Sequence, residues 1–201
     1  MSIVDFIPVL LFALFGVGLM RDLYNKLSKG AFALLSAGVL MIVTAGGYKA
    51  LWKLLYALEV CDFETLNRAF FPMQSTGFML LGLGMAAGTF FPQGKHTVYA
   101  APAVFSGTMI FVAFMILGAV GLCGSMTALS LRMKKRSAAA LFVLGFVLIL
   151  GMGYLSSRDV GVDAAKNWAA ECTNTLAQLT LLLGLRTLEK SGLRERTSMK
   201  E

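Results

Sequence analysis

A chain of 201 residues that is 57% hydrophobic and 14% charged, with a mean hydropathy of +0.74, is too apolar for a soluble domain, which carries about 25% charged residues. The same figures exclude a disordered tail, and three cysteines without ligand-like spacing exclude a disulfide scaffold or zinc module. The net charge of +7 sits in short runs beside apolar blocks, so it reads as a topology signal at the lipid headgroups and predicts no nucleic-acid partner.

Crossing the hydrocarbon of a bilayer takes about 20 apolar residues in a helix. Six blocks approach that length, which predicts an all-α polytopic integral membrane protein with six transmembrane helices. The first runs from Asp5 to Met20 and is closed by Arg21, Asp22 and Lys26. It lacks the basic start and small-residue cleavage site of a signal peptide, so it is read as a span, with an interfacial or re-entrant helix as the alternative. The second runs from Ala31 to Tyr48. The stretch Lys49 to Asn67 mixes Trp52, Leu54, Leu55 and Tyr56 with Lys49, Lys53, Glu59 and Asp62, as an interfacial amphipathic helix does. The third block spans Phe70 to Phe91 and stops at Pro92. The fourth, Pro102 to Leu131, exceeds the bilayer's need, and the fifth and sixth run from Ala138 to Leu155 and from Trp168 to Leu188.

If six spans alternate, one face carries twelve Lys and Arg and the other six. The richer face is expected in the cytoplasm, with both termini there and residues 191–201 forming a basic cytoplasmic tail. The plasma (inner) membrane is the expected location.

The chain also resembles itself. AFALLSAGVLMIVTAGGY, ending at Tyr48, matches AAALFVLGFVLILGMGY, ending at Tyr154; Val17-Gly18-Leu19 matches Val120-Gly121-Leu122; Gln74 matches Gln178; and Leu80-Leu81-Gly82 matches Leu182-Leu183-Gly184. Chance matching among Leu- and Gly-rich helices is the competing explanation. A real repeat divides the single membrane domain into units 5–91 and 105–190 of three spans each. Alternating spans would then insert the second unit upside down, an inverted 3+3 arrangement characteristic of transporters and some channels.

Polar groups at bilayer depth are the candidate functional residues, because they are costly there. In the sixth block Asn167, Glu171, Asn174 and Gln178 recur at i, i+4, i+7 and i+11, one helical face. The third block carries Glu64, Asn67 and Gln74, with Arg68, Ser75 and Thr76 nearby. Asn67, Gln74, Ser75, Glu171, Asn174 and Gln178 are therefore the expected substrate- or ion-binding set, with Arg68 or Arg158 the candidate cation for Glu171. The alternative role is hydrogen bonding that glues helices together. Gly84 and Gly88, and Gly118, Gly121 and Gly124, are expected to permit close helix approach.

No HExxH, GxSxG, P-loop or intramembrane carboxylate pair marks an enzyme, and no cofactor or metal is expected. The expected function is a small transporter or channel for a small polar solute or cation, passive or ion-coupled. The alternatives are a non-transporting subunit or sensor acting through a homo-oligomer or membrane partner, and, less favoured, a membrane enzyme.

Overall fold

The computed structural model describes residues 4–91, 108–156 and 164–196. Those residues form six helices: α1 (Phe6–Leu23), α2 (Lys29–Ala57), α3 (Glu64–Phe90), α4 (Thr108–Arg132), α5 (Arg136–Ser156) and α6 (Ala164–Glu189). Three of them, α1, α2 and the Met109–Arg132 part of α4, are long and apolar enough to cross a membrane, and Arg136–Met152 is apolar but shorter.

Local chemistry sets the boundaries. The Ser28 hydroxyl accepts from the Ala31 N–H and starts α2. Glu59, at φ 55°, turns the chain after α2, and Lys134, at φ 56°, makes the tight turn between α4 and α5. Helix α2 runs nine residues beyond Tyr48. The expected separate interfacial helix therefore does not form: its first part completes α2, and Glu64 to Asn67 open α3. Inside α3, Pro72 has no N–H to donate. The hydroxyls of Ser75 and Thr76 donate to the carbonyls of Phe71 and Pro72 around it.

Each helix packs on its neighbours in the chain, and α6 packs on α1, so the six close into a ring. The buried core includes Phe12, Phe15 and Leu19 of α1, Leu35 of α2, Phe78 and Leu81 of α3, Leu122 and Met126 of α4, Phe142 of α5 and Leu181 of α6. The outside is equally apolar: Leu10, Leu14, Val17, Leu40, Ile116, Val120, Val143 and Val147 are exposed. A helix apolar on both faces suits a lipid surround, since water would leave the outer stripe unsatisfied.

Helix directions follow from residue pairs. Along α1 and α2, Val9 meets Gly46 and Gly16 meets Val39, an antiparallel pairing. Along α2 and α3, Gly38 meets Gly77 and Leu35 meets Gly84, again antiparallel, as are α5 and α6, where Gly145 meets Leu181 and Phe142 meets Gly184. The α3–α4 pair differs. Phe71 stacks edge-on near Phe111, Phe78 meets Gly118 and Gly82 meets Gly121, and Arg132 donates to the Thr89 carbonyl. Residue numbers rise together, so α3 and α4 are parallel. The same holds for α1 and α6, where Gly18 meets Leu185 and Arg21 pairs with Glu189.

These directions correct two expectations. Units 5–91 and 105–190 both run down, up, down, so the matched helices are not inverted. The reason is that α3 finishes at one end of the ring and α4 starts at the other. The two ends of the described chain, near Asp5 and Arg196, consequently lie at opposite ends of the ring and do not share one face. Nor do residues 191–196 form a free tail: Leu193 is buried in the core, and Lys26 donates to its carbonyl.

Candidate functional site

At the amino-terminal end of the ring, α1, α2 and α6 bring four charged side chains together. Asp5 immediately precedes α1, Lys49 and Lys53 lie one turn apart near the end of α2, and Glu171 lies two turns into α6. Lys53 Nζ is 2.7 Å from Glu171 Oε1 and 3.1 Å from Asp5 Oδ2, so one ammonium ties α1, α2 and α6. Asp5 is raised above the ordinary carboxyl pKa, first because burial penalises its charge and then because Glu171 repels it, and Lys53 only partly offsets both. Lys49 points elsewhere: its Nζ lies 4.4 Å from the centre of the Phe70 ring, a cation–π contact.

These groups border a cavity of about 50 Å³ that extends inward between the helices. Its walls combine Asp5, Phe12, Lys49, Lys53, Phe70, Gln74, Glu171, Asn174 and Gln178, together with Met152 of α5. Gln178 Nε2 donates to Asn174 Oδ1 at 3.2 Å. Gln178 is 6% exposed, and its Oε1 has no partner. The arrangement offers an ammonium, an amide acceptor, an amide pair and an aromatic wall inside an apolar bundle, a combination suited to holding a small polar molecule. Among the described residues no group of His, Cys, Asp and Glu could hold a metal ion.

Four of the six sequence-derived site residues, Gln74, Glu171, Asn174 and Gln178, line this cavity. Two do not. Ser75 is buried, but its hydroxyl donates to Phe71 and Pro72 within its own helix, the structural role of a back-bonded serine. Asn67 lies in the first turns of α3, outside the cavity wall. The cation for Glu171 is Lys53. Arg68 pairs instead with Glu64, one turn away on an exposed face, and Arg158 lies outside the described residues, as does His96.

Asp5, Lys49, Lys53 and Phe70 were missed by sequence reasoning. Lys49 and Lys53 carried a usable signal, since an i, i+4 spacing puts both on one face of a helix that continues from an apolar block.

At the opposite end, Arg21 pairs with Glu189 at 2.8 Å, Arg186 pairs with the same carboxylate at 2.9 Å, and Lys26 is buried against the Leu193 turn. Burial holds Lys26 below the ordinary lysine pKa; Asp22 opposes that and nearby Arg196 adds to it.

Comparison with family models, curated proteins and solved structures finds no match to the chain.

Proposed function

We propose that this chain is a small integral membrane transporter for a compact polar solute, built from two three-helix units in the same orientation. The observation that carries the reading is that Gln74 and Gln178, which match in the internal repeat, face one cavity. A site on the axis relating two halves is where parallel-repeat transporters bind substrate.

Contact registers support the repeat. Carrying the α3–α4 contact of Gly82 with Gly121 over to the other half brings Gly184 beside Gly18, and Gly18 meets Leu185, one residue away. The α2–α3 contact of Gly38 with Gly77 carries over to Leu144 beside α6 near Leu179 to Leu181, and Gly145 meets Leu181. A same-direction repeat is related by an axis along the membrane normal, so the cavity lies between halves that can rock about it.

In this reading all six helices span the plasma (inner) membrane, with α3 and α6 turning their polar stripes inward. Recounting the helix ends among the described residues puts eleven Lys and Arg at the carboxyl-terminal face, against Lys49, Lys53, Arg68 and Lys166 at the other. The carboxyl-terminal face is then cytoplasmic, and the cavity and amino terminus face outward.

The test is uptake by liposomes reconstituted with the full-length protein, across a panel of small solutes, with and without a pH or sodium gradient. Saturable uptake that falls at least tenfold in Gln74→Leu and Gln178→Leu is the expected result. Folded, correctly inserted protein that moves none of the panel would favour the non-transporting subunit instead.

A further inference from the structure

The reading of the cavity as a solute site leaves the chemistry of its occupant open, and three observations narrow it. First, the Lys49 ammonium borders the cavity over the Phe70 ring, and among the described residues it has no ion-pair partner, since Lys53 takes up both carboxylates. An anionic group in the cavity would supply the missing counter-charge. Second, Gln178 Oε1 is a buried acceptor without a donor, and leaving such an atom unpaired is unfavourable. A ligand that carries an N–H there relieves it. Third, two lysines and two carboxylates line the cavity, so its formal charge is balanced. A ligand with net charge would upset the balance, whereas one with separated, cancelling charges would keep it.

We infer that the cavity binds a compact zwitterion of the α-amino-acid class, its carboxylate at Lys49 and its ammonium at Gln178 Oε1. The inference rests on the transport reading for the cavity's being a solute site. Size admits it: a water requires about 10–15 Å³ of such space, and a cavity of about 50 Å³ exceeds that several-fold.

The test is equilibrium binding of labelled glycine to the full-length protein in lipid nanodiscs, with acetate, methylammonium and urea as competitors. Glycine is expected to bind saturably and each single-function competitor at least tenfold more weakly. Lys49→Gln and Gln178→Leu are each expected to weaken glycine at least tenfold, while Lys49→Arg, which keeps the cation, retains most of the affinity at an unchanged melting temperature. Acetate equal to glycine would make this an anion site, and methylammonium equal to glycine a cation site; either overturns the inference, as does no glycine binding to protein with an intact melting transition. Flux separates the two readings. Glycine bound but not moved in liposomes refutes transport and leaves the ligand assignment standing. Uptake of another solute with no glycine binding does the reverse.

Discussion

Lys53 is the residue on which the amino-terminal end of the ring depends. It is 25% exposed, against 7% for Asp5 and 13% for Glu171, so the pairings sit well below the solvated surface where ion pairs contribute little. Removing the cation from a buried arrangement leaves its carboxylates uncompensated, a loss of about 3–5 kcal/mol. Lys53→Met is therefore expected to lower the melting temperature of the detergent-solubilised protein by more than Glu171→Gln, which leaves Lys53 an uncharged acceptor and keeps Asp5 paired. Equal melting shifts would show that Lys53 acts as a surface charge only. Asp5 adds a pH dependence whose sign is determined by its raised pKa. Between the ordinary value of 3.8 and the raised one, the folded protein holds a proton that the unfolded chain has released. Stability contributed by Asp5 is then present at the acidic side of that window and falls as pH rises through it. Asp5→Asn removes the ionisation, and a melting temperature measured across acidic to neutral pH should decline less steeply in that variant than in the parent. At this scale the sequence was informative where polarity interrupts an apolar block: Glu171, Asn174 and Gln178 stand out because nothing else explains polar residues at one-face spacing there. It was silent for Asp5, and for Lys49 and Lys53 it offered a shared helical face but not its destination, because a charge at the end of a block has the same local pattern whether it anchors to headgroups or turns into a cavity.

Between elements, the closest approach is the parallel seam of α3 and α4. A Cβ added at Gly118 would lie 2.2 Å from the backbone carbonyl of Phe78, and one at Gly82 would lie 2.4 Å from the Gly118 carbonyl oxygen. Backbone cannot yield as the tip of a flexible side chain can, so the helices must part. Overpacking of this kind costs about 1–3 kcal/mol. Gly124 lies two turns further along α4 with nothing within 4 Å of its added Cβ, and alanine there should be neutral or stabilising by up to ~1 kcal/mol through helix propensity. Gly118→Ala is thus expected to melt earlier than the parent and Gly124→Ala no earlier, in the same detergent. Matching losses would mean that the seam is not a tight contact. The glycine series was legible as a packing surface from its spacing alone, and so were six helices, because apolar block length is a local property. Gly124 nevertheless falls outside the contact that Gly118 and Gly121 make, since spacing marks a face without saying how far the neighbour extends along it. The direction of α4 was not legible for a related reason. Whether a chain returns along the same end of a bundle or crosses to the other is decided by which helices pack, and Gly82 against Gly118 is a contact between segments that local pattern treats independently.

For the whole molecule, the parallel α3–α4 pair changes what the charges mean. With six alternating spans the basic residues divided twelve to six, a modest bias. Along the observed helix directions, Arg21, Lys26 and Lys29, the Arg132 to Arg136 run, and Arg186 to Arg196 gather at one end, opposite Asp5, Lys53 and Glu171. The native cysteines allow this orientation to be read without foreign tags. Cys61 is exposed between α2 and α3, and Cys172 is exposed beside Glu171, both at the amino-terminal end, whereas Cys123 is buried within α4. A membrane-impermeant maleimide applied to intact cells should therefore label a variant that keeps Cys61 alone, and a variant that keeps Cys123 alone should stay unlabelled until denatured. A cysteine-free background carrying Lys134→Cys, in the exposed turn between α4 and α5, should react only after the cells are permeabilised. The opposite pattern at Cys61 and Lys134→Cys would invert the orientation and put the cavity on the cytoplasmic side. Labelling of Cys61 and Lys134→Cys from one side together would mean that the two ends of the ring share a compartment. The bundle would then lie outside the bilayer or along its surface, and the cavity could not serve passage across it.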